Sequence, residues 1–273
     1  MAKRYLLAVS IGPVQDFIAA ARKTRDLWYG STLLSAISRT AATNVQRQGG
    51  ELIFPHPEAV DSANAGAEIP VANIVLADFK DPTGSMADIS SRVERAARLH
   101  LEQLQTRVLE EISDAVGAGL IDTDLLAQQV DEFLEFYTAW LPLESEDDYP
   151  ETRLQLMRLL AGRKALRDFG RAPALATDAR GRRKSMLDPS RESVLTSDEA
   201  HKDLPLRRWL KSESAEHLDG ISLIKRVSSL DRASKAGRFA SISRIAVDPL
   251  IRRIKEDDRQ LPTGGGPFSA SWE

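Results

Sequence analysis

No cysteine occurs among the 273 residues. Disulfides, thiolate zinc centres and a cysteine nucleophile are excluded together. The four histidines, His56, His100, His201 and His217, are scattered, and no pair has HExxH or comparable ligand spacing. No His-Asp dipeptide is present, which removes the metal site of a His-Asp phosphohydrolase. Long apolar runs are missing as well; those present fall far short of the roughly 20 residues of a membrane helix. The amino terminus, MAKRYLLAVSIGP, is basic and then apolar, as a signal peptide is. Its apolar run is short, no small-residue cleavage site follows, and Gln15 and Asp16 intervene. It reads as a first strand, in a cytoplasmic chain with no membrane partner.

What is present is ordinary in bulk and uneven in layout. Hydrophobic residues make up 42% and charged residues 28%, the balance of a folded domain with a real core. The net charge of −3 conceals an asymmetry. Residues 151–260 hold 25 Lys and Arg against 16 Asp and Glu; the remainder holds 12 against 24. A basic half beside an acidic half suits a polyanionic partner, and it equally suits solvated helix faces.

The periodicity divides the chain. Residues 4–11 are apolar on both faces, as a central strand is. From Pro13, positions Val14, Phe17, Ile18, Ala21, Arg25 and Trp28 follow a helical stripe that only Arg25 breaks. Gly30 and Ser31 punctuate it, a second helix runs to Gly49-Gly50, and Gly12 is expected to need positive φ in the turn before the first. ELIFPHP (51–57) and IPVANIVLADF (69–79) read as strands, 85–116 as a long amphipathic helix, and EFLEFYTAWLPL (132–143) as a last strand. The order βαββαβ predicts an α+β fold: a ferredoxin-like, palm-type domain over 1–145, one sheet face under helices and the other open to a partner. A basic, mostly helical domain is expected over 146–260, with three short helices in 197–256. The tail 261–273 reads as a linker or a cut end.

Two basic constellations are candidate sites. Where the first strand turns into a helix, free N–H groups and the helix dipole favour an anion such as a phosphate. Ser10, Gly12 and Gln15 lie at that turn, and Arg22, Lys23 and Arg25 follow. A plain helix start, with Arg22 paired to Asp26, accounts for the same residues. Further on, Arg180, Arg182, Arg183 and Lys184 stand uninterrupted by acid, with Arg191 nearby. Such a segment can neutralise RNA phosphates. The nearest aromatic is Phe169, so contact with the RNA backbone is favoured over base stacking; a solvated loop is the alternative. Asp16 follows the first strand where palm enzymes keep a carboxylate, but one carboxylate is a weak metal site. No catalytic residues and no metal site are expected.

SIGPVQDFIAAARKTRDLWYGSTLLS, residues 10–35, resembles the N-terminal signature of the large palm-containing subunit of type III-B CRISPR effector complexes, the Cmr complex. ELIFPHP, EFYTAWLPL, RKALRDF, KSMLDPSRESVL and RFASISRIA resemble later segments of that family in the same order. The resemblance implies a first palm domain in an RNA-guided antiviral ribonucleoprotein. It implies as partners other Cmr subunits, guide RNA, target RNA and a second palm, in cis or in trans. In the family the second palm carries a Gly-Gly-Asp-Asp turn, which binds metal and converts ATP to cyclic oligoadenylates. The resemblance therefore gives Ser10, Gly12, Gln15, Arg22, Lys23 and Arg25 a place at a shared nucleotide cleft. Departures matter: no Gly-Gly-Asp-Asp occurs, and without cysteine the zinc module of many relatives cannot form. The expectation is a scaffold that needs no cofactor by itself and no zinc, with ATP and magnesium entering only alongside a second palm. The sequence reads as a shortened chain, a split subunit or a degenerate copy.

Overall fold

The computed structural model describes residues 3–61, 70–116, 119–166, 182–196, 209, 216–236, 247, 249–250 and 253. Four strands, β1 (Arg4–Gly12), β2 (Gly50–Phe54), β3 (Ile74–Lys80) and β4 (Glu135–Pro142), form one sheet in the order β2-β3-β1-β4. All three pairings are antiparallel. β1 is central, between Ile74–Lys80 on one side and Glu135–Pro142 on the other. Its double-sided apolar pattern follows from that place: Leu7, Val9 and Ile11 enter the main core, while Leu6 and Ala8 enter a second cluster on the opposite face.

The main face is covered by α2 (Thr24–Arg47) and α4 (Met86–Val116). The stripe expected on α4 is the one it buries, through Met86, Ile89, Val93, Ala97, Leu101, Leu104, Val108 and Ile112. α2 buries Leu33, Leu34, Ile37, Ala41 and Val45 and ends before Gly49, whose φ of +88° favours glycine. Short α1 (Gln15–Ala19), α3 (Pro57–Asp61) and α5 (Thr123–Asp131) complete this side. The side chain of Asp122 caps α5, accepting from Leu125 N–H at 2.9 Å.

Several expectations change. The helix read as continuous from Pro13 is broken over residues 20–23, between α1 and α2. Gly30, read as punctuation, lies inside α2. The sheet face expected to be open is occupied over β1 and β4 by α6 (Tyr149–Ala165). Leu156 and Leu160 there pack on Leu6, Ala8, Leu76, Ala139 and Leu143. α7 (Gly220–Ala236) sends Ile221, Leu223, Ile224 and Val227 into the same cluster as Leu7, Val9 and Ile11. Apart from α7 and a few single residues, the stretch read as three short helices lies outside the described residues, as does the tail 261–273.

Candidate functional site

β1 ends in a turn fixed from two sides. Ile11 N–H donates to Asn73 O at 2.9 Å, and Asn73 Nδ2 donates back to Ile11 O at 3.1 Å. Gly12 sits opposite Glu135 in the β1–β4 register. Positive-φ glycines among the described residues are Gly49, Gly84 and Gly119, so the expectation of positive φ at Gly12 is corrected. The constraint at Gly12 is close approach: a Cβ there would stand 2.9 Å from Glu135 Oε2. α1 then runs for only five residues and sums few peptide dipoles, so its mouth by itself is a weak place for an anion.

Two clefts flank this turn. One, of about 460 Å³, is bounded by Gly12, Gln15, Asn73, Tyr137 and Lys164. The other, of about 510 Å³, is bounded by Phe17, Phe133, Asp188, Arg191 and Asp219. Pro13, Asp16 and Glu135 form the ridge between them. Phe17 and Phe133 meet edge to face with ring centroids 4.9 Å apart. The carboxylates of the ridge are Asp16 and Glu135, and among the described residues no three His, Asp or Glu side chains are grouped to hold a metal ion. These residues alone do not fit a magnesium site.

The structure brings together only part of the first constellation. Gly12 and Gln15 line the smaller cleft. Ser10 is buried within the sheet, opposite Ile74 and Tyr137. Arg22, Lys23 and Arg25 line neither cleft. The Arg22 guanidinium lies 3.8 Å from Met186 Sδ. Asp26, the proposed partner of Arg22, is instead engaged by Arg226. Lys23 and Arg25 are half-buried at the start of α2. Burial, with Arg226 and Arg25 nearby, lowers the Lys23 pKa to about 8. Burial, with Arg226 nearby, also lowers that of Arg25.

The second constellation is tied to its own chain. Arg180 lies outside the described residues. Arg182 pairs with Asp122 at 2.6 Å. Burial works against the Asp122 carboxylate, yet the Leu125 N–H and the Arg182 guanidinium outweigh it and hold its pKa below the usual value. Lys184 pairs with Glu192 and depresses that carboxyl too. Arg191 donates to Asp188 at 3.1 Å and to Gln129 O at 3.0 Å, and it covers the Phe133 ring at 5.9 Å. Arg183 is exposed, and its carbonyl accepts from Ser193 N–H. These contacts fold 182–196 against α5 and the start of α7, with Met186 N–H on His217 O and Val194 N–H on Leu218 O.

Sequence reasoning missed the groups that fix the site from a distance. On α7, Arg226 is fully buried and bidentate to Asp26, with both bonds at 2.8 Å. It also donates to Glu216 at 2.8 and 3.1 Å and to Trp209 O at 3.0 Å. Its neighbour Lys225 is 1% exposed and donates from Nζ to Phe17 O at 2.6 Å and Ala20 O at 2.8 Å. Burial lowers the Lys225 pKa to about 8, with Asp26 and Asp219 opposing it. The only advance signal was a Lys-Arg pair on an otherwise apolar helix face. Lys164, in the basic last turn of α6, was not singled out in the sequence and lines the smaller cleft.

Comparison with known proteins agrees with this architecture. Residues 6–129 match the family model described as CRISPR-associated protein Cmr2, N-terminal. The CRISPR system Cmr subunit Cmr2 of Pyrococcus furiosus is 30% identical over 168 residues, which are 54% of this chain and 19% of that protein. The cryo-EM structure of type III-B Cmr-beta in the apo state superposes with a TM-score of 0.62 at 17% identity, covering 92% of this chain and 34% of that one. Type III-B Cmr-beta bound to cognate target RNA gives a TM-score of 0.57 at 15% identity, covering 95% and 38%. This chain thus spans about a third of the length of those structural relatives. Among the described residues no helix is long and apolar enough to cross a membrane.

Proposed function

We propose that this chain is a scaffold of an RNA-guided antiviral ribonucleoprotein: the N-terminal part of a type III-B Cmr large subunit, working in the cytoplasm. Its partners in this reading are other Cmr subunits, guide RNA and target RNA. The observation that carries it is the match to the Cmr2 N-terminal region over residues 6–129, on a fold shared with Cmr-beta across 92% of the chain. Strand order β2-β3-β1-β4 with α2 and α4 on one face supports the ferredoxin-like palm.

The nucleotide side of the proposal rests on the turn. Gly12, Gln15 and Asp16 form an open wall with Lys164 as its nearby cation, one side of an ATP cleft whose other side is a second palm. The alternative is a half-site of a cyclic oligoadenylate synthase, completed by that palm with ATP and magnesium. Its support is that the ridge offers Asp16 and Glu135 but no full metal-binding set of its own. Arg182, Arg183, Lys184 and Arg191 supply the RNA-facing charge, and neither reading needs zinc.

Reconstitution with the other Cmr subunits and guide RNA tests the scaffold. Co-purification at fixed stoichiometry is the expected outcome, and failure to join any subunit overturns it. Titration calorimetry of ATP with magnesium separates the alternatives. Heat only when a second palm is present favours the half-site; no heat in either case leaves the scaffold alone.

A further inference from the structure

The break between α1 and α2 has a specific cause in α7. α1 leaves carbonyls at its C-terminal end that no following turn satisfies. Lys225 Nζ reaches two of them, Phe17 O at 2.6 Å and Ala20 O at 2.8 Å, and lies 4.5 Å over the Phe17 ring. Room for it is made at Gly30, where a Cβ would come within 2.9 Å of Lys225 Cε and 3.3 Å of Nζ. One residue on, Arg226 neutralises Asp26, whose Oδ2 also accepts from Lys23 N–H at 3.3 Å where α2 begins. Two adjacent cations thus hold the end of one helix and the start of the next. α1 carries Asp16, Phe17 and Ala19, which line the clefts beside the turn.

We infer that Lys225 is the positioning residue of the cleft wall: its ammonium, admitted by Gly30, sets where α1 and the Gly12–Asp16 turn stand. The inference rests on the reading of that turn as a nucleotide wall, but the clamp itself is tested without nucleotide. The groups facing Lys225 are Asp26 on α2, Asp219 and Arg226 around and on α7, and the Phe17 ring on α1.

The test is amide hydrogen exchange on the full chain, in the wild type, Lys225→Met and Gly30→Ala. Methionine keeps the length and removes the charge; the alanine methyl displaces Cε and keeps the charge. Both variants are expected to speed exchange at Ile18 and Ala20, whose N–H groups bond Val14 O and Asp16 O, by at least roughly ten-fold, with α4 unchanged. Where Lys225→Met also loses α4 protection, Gly30→Ala decides. Unchanged α1 exchange in both variants overturns the inference. With a second palm present, Lys225→Met is expected to weaken ATP binding about ten-fold. If the wild type binds no ATP there, the nucleotide reading fails while the exchange result still decides the clamp.

Discussion

The chain carries two clusters of cations, and they are held by different physics. On α7, Arg226 is fully buried between Asp26 and Glu216, and Lys225 is buried on the carbonyls of Phe17 in α1 and of Ala20 just after it. In segment 182–192, Arg182, Lys184 and Arg191 pair with Asp122, Glu192 and Asp188 at the surface, with Lys184 more than half exposed. The first cluster lies in a low-dielectric setting where each partner is indispensable. The second is screened by water and can exchange its carboxylates for phosphates. A basic residue therefore marks a partner surface only where its own chain holds it loosely.

The largest effect should fall on the buried cluster. Arg226→Met leaves the Asp26 and Glu216 carboxylates buried without the guanidinium between them, and a loss of about 3–5 kcal/mol is expected in urea unfolding. A loss below about 1 kcal/mol would erase the contrast between the clusters. Gly12→Val should cost less, about 1–3 kcal/mol, because it crowds the Glu135 carboxylate and the strand end. Wild-type melting behaviour would show that Glu135 simply swings away.

The pH dependence comes next. Lys23 and Lys225 have pKa values lowered to about 8 from 10.5. Between those limits the unfolded chain holds protons that the folded chain has released, so stability should rise from about pH 8 towards pH 10.5. Lys225→Met should reduce that rise, as read by denaturant midpoints across the range. An equal rise in the variant would place the titration elsewhere.

The smallest stability effect belongs to the surface cluster. Arg182→Ala with Arg183→Ala should cost no more than about 1 kcal/mol. In the assembled complex the same pair should weaken RNA binding and flatten its salt dependence by roughly two phosphate contacts. An unchanged salt slope would mean that these arginines serve only Asp122 and the solvent.

Where local pattern and burial agree, the structure was readable in advance. β1 shows its central place in Leu6 through Ile11, and α4 shows its buried stripe from Met86 to Ile112. α5 was missed because the polar Gln129 sits inside its apolar face, buried by bonds to Glu192 O and Gly220 N–H that come from far along the chain. The cover over the second sheet face was missed because the leucines of α6 mark no single face among its charged residues: Leu154 and Leu159 point outward, Leu156 and Leu160 inward. The α1–α2 break was invisible because the side chain that meets it, Lys225, is 205 residues from Ala20. Of the residues expected at the strand-to-helix turn, Gly12 and Gln15 line the smaller cleft and Arg22, Lys23 and Arg25 line neither, because charge in a sequence gives no direction; Lys164 was passed over for the same reason.

Photolabelling with an azido-ATP in the complex reconstituted with guide RNA and a second palm tests the central claim most directly. Adducts on the Gly12–Ala20 stretch or on Lys164, displaced by excess ATP, are the predicted result. Displaceable labelling confined to other residues, with none on this chain, would contradict it.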